Sequence, residues 1–188
     1  GIHTLPIDAI KILEKYVASI NTVGEISKKL SIPRKKVISG KDADVFFYNG
    51  VYKIVYNEYI ASSARIRWTL MHELGHIYLG HLSDFEQASV SKDNLVDNEY
   101  QVLEREANFF ASEILVPQII LKRLGIHYWG YIETMCGISE EAAKIQAKKL
   151  NSHSYSNIYN KFEQDILKQF EKFLFNARPY AKVKKLFT

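Results

Sequence analysis

A chain of 188 residues with 47% hydrophobic and 24% charged side chains can form one globular domain with a sizeable core. Its one cysteine, Cys136, excludes an intramolecular disulfide and a cysteine-rich zinc site, and no apolar run approaches the roughly 20 residues of a membrane span, so we expect a cytoplasmic protein. The net charge of +4 permits contact with nucleic acid without requiring it.

The N-terminal segment, residues 1–40, is predicted to be helical. The chain begins with Gly1 and not with methionine, and the sequence does not tell whether residues upstream of it are missing. Pro6 can occupy the first turn of a helix, and apolar residues recur at helical spacing from Ile7 to Ile20. The pattern therefore predicts a helix that ends near Asn21 to Gly24.

A second short helix is predicted after Thr22, because Thr22 and Glu25 have the spacing of a capping box. Ser31-Ile32-Pro33 ends this helix before the basic residues at 34–36. The pattern is typical of a helix-turn-helix, which would allow contact with DNA. The alternative is a small helical cap with solvated lysines, and Ser39-Gly40 favours the cap because it would end a reading helix early.

The sequence from Asp44 to Asn57 has the alternation and the turn signal of a β-hairpin. Val45–Tyr48 and Val51–Asn57 are rich in β-branched and aromatic residues, and Asn49-Gly50 between them supplies the two positive-φ residues of a type I′ turn. Because both faces of the second strand carry apolar side chains, we expect a helix to cover one side of this sheet. An exposed edge strand could align an extended peptide by β-addition.

The most informative stretch is Arg65–His81, which contains His72-Glu73-Leu74-Gly75-His76. Residues four apart lie on the same side of a helix, so His72 and His76 would present two imidazoles to one point. Two neutral imidazoles at this spacing form half of a zinc site, and Glu73 is placed to act as the catalytic base. We interpret the stretch as the centre of a zinc-dependent peptidase.

The apolar residues of this helix support that interpretation. Ile66, Leu70, Leu74 and Ile77 fall on one stripe, and the two histidines lie nearly opposite it. The alternative is a buried helix that carries two incidental histidines. A histidine pair on a second, enclosed face is instead what a metal cleft requires.

A catalytic zinc ion takes three protein ligands, and no third histidine follows at the short spacing that some zincins use. The helix predicted at about Glu99–Val116 offers carboxylates instead. Glu104 lies at the edge of its apolar face and is the predicted third ligand, whereas Glu106 and Glu113 point away and are expected to be solvated. Asn108, one turn after Glu104, is placed to hydrogen-bond a ligand imidazole.

Other residues near the predicted site have supporting or undefined roles. Ala107 and Ala111 are small enough to let the two helices approach closely. His81 is displaced around the helix from His76, so we expect it to pack or to support a ligand rather than to bind the metal. The sequence identifies no oxyanion donor, and we expect surface or core roles for the three residues of one plausible stretch: His127, Tyr128 and Tyr131.

The rest of the chain is predicted from polarity and periodicity. Ser83–Asn98 is polar and reads as a surface loop. Ile158–Phe175 is an amphipathic tail helix that must pack on this domain or on a partner. These features divide the chain into a helical segment at 1–40, a core at 41–150 and a tail at 151–188. Further helices are predicted at about Gln118–Leu124, Tyr128–Met135 and Ser139–Leu150.

The sequence RIRWTLMHELGHIYLGH, followed by a polar loop and EREANFFASEILVP, resembles the ImmA/IrrE family of metallopeptidases, which are glutamate-zincins. The resemblance covers roughly Gly40 to Pro117. It implies an α+β fold, a mainly helical zincin-like domain with a small antiparallel β-hairpin beside the histidine helix. It also implies that His72, His76 and Glu104 bind Zn²⁺ and that Glu73 is the base. The family's second helix more often ends in AAELLMP, a conservative difference from ASEILVP here.

The resemblance further implies a protein substrate, a helix-turn-helix repressor encoded beside the peptidase in phages and mobile elements and inactivated by cleavage. Two alternatives remain. One is a non-proteolytic regulator that contains zinc and binds a repressor or DNA, and the other is the toxin of a toxin–antitoxin pair. The presence of Glu73 argues against the regulator, because a structural metal site has no need of a base. The sequence does not define the oligomeric state.

Overall fold

The computed structural model describes residues 2–82, 97–152 and 159–183, with no description of the side chains at 97 and 178–183. The loop predicted at Ser83–Asn98 therefore lies almost wholly outside the described residues. The elements found within the described ranges are α1 (Ala9–Leu13), β1 (Ser19–Thr22), α2 (Val23–Leu30), β2 (Ala43–Tyr48), β3 (Val51–Tyr56), α3 (Ser63–Tyr78), α4 (Asp97–Leu115), α5 (Gln118–Arg123), α6 (Trp129–Cys136), α7 (Glu140–Ser152), α8 (Lys161–Gln169) and α9 (Glu171–Val183).

The prediction of a mainly helical α+β fold is confirmed. The described residues fall into two compact units: Asp8–Ser112, and Gly1–Ile7 together with Glu113–Thr188. The first unit contains the sheet, α3 and most of α4, and the second contains the later helices.

A three-stranded mixed sheet lies in the first unit, in the order β1-β3-β2. Strands β2 and β3 pair antiparallel, from Ala43 opposite Tyr56 to Tyr48 opposite Val51. The turn between them has φ of 50° at Asn49 and 77° at Gly50, so both residues adopt the left-handed conformation of a type I′ turn. The predicted hairpin is therefore confirmed, and β2 forms an edge of the sheet.

The third strand, β1, differs from the sequence-based prediction. The helix predicted to end near Asn21 to Gly24 ends at Leu13, and Ser19–Thr22 pairs parallel with β3. A four-residue strand with one large apolar residue, Ile20, does not show an alternating pattern, and its partner lies more than thirty positions away. The prediction of one long helix was therefore wrong in its second half.

The capping box predicted at Thr22 forms, since Thr22 Oγ1 accepts from the Glu25 amide and the Glu25 carboxylate accepts from the Thr22 amide. After α2, Arg34–Lys36 forms only a three-residue 3₁₀ turn. A helix-turn-helix needs a second helix that can lie in the major groove. The segment therefore does not adopt that motif.

Helix α3 forms the centre of the Asp8–Ser112 unit. Ser62 caps it, with its hydroxyl accepting from the Arg65 amide at 3.2 Å. The helix packs against α1, β2 and β3, which confirms that the histidine helix covers the sheet. The most buried side chains of this core come from all four elements: Leu13, Val45, Ile54, Leu70, Met71 and Leu74.

The unit completed by Glu113–Thr188 has its own core, in which α6 packs on α7, α5 on α8, and α8 on α9. The predicted tail helix is in fact two helices, because the chain breaks at the buried Phe170 between α8 and α9. Asn160 caps α8 in a capping box with Glu163. The fully buried side chains of this unit include Leu115, Val116, Ile120, Leu121 and Ile132.

Candidate metal centre

Two imidazoles on successive turns of α3, those of His72 and His76, lie edge to face. The Nε2 atoms of His72 and His76 are 3.0 Å apart, and the ring centroids are 4.7 Å apart. His76 is only 2% exposed, and the side chain of His72 is 15% exposed. The helix thus directs two nitrogen donors to one enclosed point.

Glu104 on α4 supplies a carboxylate at the same point. Its Oε2 lies 3.4 Å from Nε2 of His72, and its Oε1 lies 3.5 Å from Nε2 of His76. A tetrahedral ion bound at about 2.0–2.1 Å would hold its ligand atoms about 3.3–3.4 Å apart. The three donors therefore fit a divalent metal ion.

The two helices come close enough because small residues meet where they cross. A methyl group added at Gly75 would lie 2.9 Å from Cα of Ala107 and 3.1 Å from its carbonyl oxygen. This contact places α4 directly against the turn of α3 that separates the two histidines. The close approach expected from Ala107 thus exists, and its partner is the glycine of the His72–His76 motif.

Asn108 orients the first imidazole. Its Oδ1 lies 3.3 Å from Nδ1 of His72 and accepts a hydrogen bond from Nε1 of Trp68 at 3.2 Å. The indole nitrogen can only donate. The Asn108 atom that contacts both Trp68 and His72 must therefore be the amide oxygen. The Asn108 amide nitrogen donates to the main-chain carbonyl of Glu104 at 2.8 Å. His72 therefore carries its proton on Nδ1, which leaves Nε2 free to bind a metal.

The second imidazole bonds to another histidine. Nδ1 of His76 lies 2.9 Å from Nδ1 of His81, and Nε2 of His81 lies 3.1 Å from Oε2 of Glu106. The expectation that Glu106 is merely a solvated charge was wrong, although its side chain is half-exposed. His81 is buried in a supporting position, as expected from its displacement around the helix.

The end of α3 explains how His81 reaches His76. Gly80 has a φ of 78°, its amide donates to the Ile77 carbonyl at 3.2 Å, and the His81 amide donates to the His76 carbonyl at 3.0 Å. These two bonds define a Schellman motif, which brings the side chains five residues apart into contact. A glycine between two histidines at this spacing was the sequence signal that could have revealed the pair.

The charges of the site are set by burial and by the three donors. Burial opposes ionisation of Glu104, but the adjacent imidazoles of His72 and His76 outweigh it and hold the pKa of this carboxyl well below its usual range. Burial lowers the pKa of His76 and favours the neutral imidazole that a metal needs. Burial also raises the pKa of Glu73 to about 7, so this carboxyl exchanges protons near neutral pH.

The donors line a cleft of about 310 Å³ that also contains Glu73. Its other walls include Asp42, Ala43 and Asp44, around the start of strand β2, and Tyr100 on α4. Burial and the nearby negative charge of Glu104 raise the pKa of the Tyr100 phenol. The sequence alone did not single out Tyr100, because nothing in the helical pattern distinguishes it.

Residues 34–148 match the family model of peptidase M78, described as the IrrE N-terminal-like domain. The chain belongs to the peptidase M78 family. The resemblance inferred from the two motif blocks is thereby confirmed, and a metallopeptidase-type function with a metal cofactor follows from family and donor set together. A comparison with curated proteins finds no match. No helix among the residues that the structure describes is long and apolar enough to cross a membrane.

Proposed function

We propose that this M78 protein is a zinc-dependent endopeptidase that cleaves one specific protein, a helix-turn-helix transcriptional repressor of a phage or mobile element. The observation that carries the proposal is the triangle of donor residues His72, His76 and Glu104 beside Glu73. The two Nε2 atoms are 3.0 Å apart, with Oε2 of Glu104 3.4 Å from His72 and Oε1 3.5 Å from His76. Two imidazoles and one carboxylate are a common donor set of catalytic zinc in peptidases.

Glu73 is the proposed catalytic base. Zinc, when bound, would supply Lewis acidity toward the attacking water and the scissile carbonyl. Glu73 would accept a proton from the water and then deliver a proton to the leaving amine. Burial raises the pKa of this carboxyl, which favours its acceptance of a proton from the water.

Tyr100 is the proposed donor to the oxyanion of the tetrahedral intermediate. Tyr100 lines the same cleft as the donor triangle. The phenol, whose pKa is raised, is protonated at neutral pH and can donate. A fixed donor of this kind stabilises charge that develops only during reaction.

Strand β2 is proposed to align the substrate. It pairs only with β3 among the described strands, so its other edge can receive an extended peptide by β-addition. Ala43 and Asp44 at its start line the cleft. A peptide bound along this edge would pass the donor triangle with its backbone held, and cleavage would then depend on an extended segment in the repressor.

The proposal is tested by metal content and cleavage together. Purified wild type, Glu104→Ala and the control Glu113→Ala are analysed for zinc, and each is incubated with the helix-turn-helix protein encoded beside its gene. We expect one zinc per chain and a discrete cleavage product for wild type and control, and neither for Glu104→Ala. Absence of zinc from the wild type refutes the peptidase. Zinc without cleavage supports the non-proteolytic regulator instead.

A further inference from the structure

Three side chains form a hydrogen-bond chain that ends at the metal centre. It runs from Oε2 of Glu106 to Nε2 of His81 over 3.1 Å, and from Nδ1 of His81 to Nδ1 of His76 over 2.9 Å. The exposed fractions of His76 and His81 are 2% and 4%, so water does not compete for the inner bond. Only the Glu106 carboxylate reaches the surface.

With Glu106 ionised and His81 neutral, the chemistry of these groups sets the direction of every bond. An ionised carboxylate can only accept, so Nε2 of His81 must carry a proton and donate it to Glu106. A neutral His81 then has an unprotonated Nδ1, which can only accept. The bond between the two Nδ1 atoms therefore requires Nδ1 of His76 to donate, and Nε2 of His76 is left with a free lone pair.

We infer that Glu106 and His81 are positioning residues that hold His76 in the tautomer and orientation that bind the metal. The inference rests on the zinc site of the proposed function. Carboxylates and carbonyls commonly orient metal-binding histidines directly. Here a second imidazole lies between the carboxylate and the ligand, because the Schellman turn at Gly80 places His81, and not an oxygen atom, against His76.

The two ligand histidines are thus oriented by different parts of the chain. His72 bonds to Asn108 on α4, whereas His76 bonds to the residue that follows the end of its own helix. Helix α4 contributes a residue to both hydrogen-bond networks, Asn108 to that of His72 and Glu106 to that of His76. The positioning role of Glu106 also explains why a half-exposed carboxylate faces a buried imidazole.

The first test compares zinc affinities, measured by competition with a chromogenic chelator. His81→Phe keeps an aromatic ring but removes the acceptor, and we expect about 10–100-fold weaker zinc binding. His81→Asn places an amide oxygen near the position of Nδ1, so we expect it to restore most of the affinity. Equal affinities for wild type and His81→Phe would overturn the inference, as would an Asn variant no better than the Phe variant.

Because His81 is buried, its substitution also changes packing. A second pair of variants therefore replaces carboxylates at the surface. Glu106→Ala removes the outer carboxylate, and Glu113→Ala removes an exposed one, seven residues further on the same helix. We expect several-fold weaker zinc binding for Glu106→Ala only, with unfolding temperatures of the zinc-free proteins unchanged in both. Unchanged affinity in Glu106→Ala would overturn the role of Glu106.

The second test reads the tautomers directly in zinc-free protein, from the ¹⁵N chemical shifts of the imidazoles. We expect His76 protonated on Nδ1 and His81 protonated on Nε2, and a loss of the His76 preference in His81→Phe. The opposite tautomer at His76 would overturn the inference. This readout needs no metal, so a wild type that fails to bind zinc would refute the proposed function while the tautomers still decide the inference.

Discussion

Gly75 and Ala107 meet where α3 crosses α4, with so little space that a Cβ atom on Gly75 would lie 2.9 Å from the Ala107 Cα. The two nearest atoms that it would meet, Cα and the carbonyl oxygen of Ala107, belong to the backbone of α4 and cannot rotate away. The glycine in the His72–His76 motif therefore sets the distance between the two helices that carry the metal donors.

Gly75→Ala is expected to weaken metal binding although all three donors remain. The methyl group forces α4 away from α3, and overpacking of this kind costs roughly 1–3 kcal/mol. We expect zinc affinity to fall at least about tenfold, since the change acts on the position of Glu104. The measurement is chelator competition together with thermal unfolding.

Gly130→Ala in α6 is the matched control. A methyl group there would meet only the half-exposed ring of Tyr128, a side chain that can move. Replacement of a helical glycine by alanine contributes up to about 1 kcal/mol of stability when space allows. Gly130→Ala should thus be neutral or stabilising and should bind zinc normally. Normal zinc binding by Gly75→Ala as well would contradict the packing argument.

Glu73→Gln is expected to separate metal binding from catalysis. The amide keeps the shape of the side chain but cannot accept and return a proton, and loss of general-base catalysis costs about 10²–10⁴-fold in rate. Zinc content should stay at the wild-type level because Glu73 is not one of the three donors. A variant that cleaves the repressor at the wild-type rate would exclude Glu73 as the base.

Tyr100→Phe addresses the proposed oxyanion donor. Removal of one such donor typically lowers kcat by about 10²–10³-fold. We expect that loss in single-turnover cleavage, with zinc affinity changed little, since Tyr100 is not one of the three metal donors. A fall in zinc affinity with an unchanged rate at saturating zinc would instead show that Tyr100 only holds Glu104.

Asn108→Ala should weaken zinc binding by removing the acceptor for Nδ1 of His72, with an expected loss of about 10–100-fold. Trp68→Phe, which removes only the indole donor to the same amide oxygen, should have a smaller effect. Chelator competition on the two variants checks this order. A larger loss for Trp68→Phe would mean that packing, rather than the Asn108 bond, holds the imidazole.

Cys136 should be unreactive in the folded protein. Burial raises the pKa of this thiol to about 12, and thiolate is the reactive form, so at pH 8 only about one thiol in 10⁴ is ionised. We expect no reaction with a disulfide reagent at pH 8 without denaturant and complete reaction in urea. Reactivity should rise with pH until the protein unfolds, and rapid modification of native protein at pH 8 would contradict burial.

The parts of this structure that depend on local chemistry could be predicted from the sequence. Asn49-Gly50 strongly favours a tight hairpin turn, and the spacing of the leucines in α3 shows the period of a helix. The helical wheel favoured Glu104 because it lies at the edge of the apolar face, and the structure places Glu104 with His72 and His76 in a group that could hold a metal ion.

Features that depend on distant pairing or on the geometry of a helix end could not be predicted in the same way. Strand β1 has four residues, and its identity comes from hydrogen bonds to β3 rather than from its own pattern. The His81–Glu106 bond needs both the turn at Gly80 and the crossing of α3 with α4. Neither can be read from the wheel of a single helix.

The Schellman turn has one further consequence, because it places the second ligand in the last turn of α3. Terminal turns of helices open more readily than their centres, and local opening governs amide hydrogen exchange. An ion that holds His76 would therefore also hold the amides of Gly80 and His81, whose acceptors are the carbonyls of Ile77 and His76. Slow exchange at these two positions would report an occupied metal centre without any substrate.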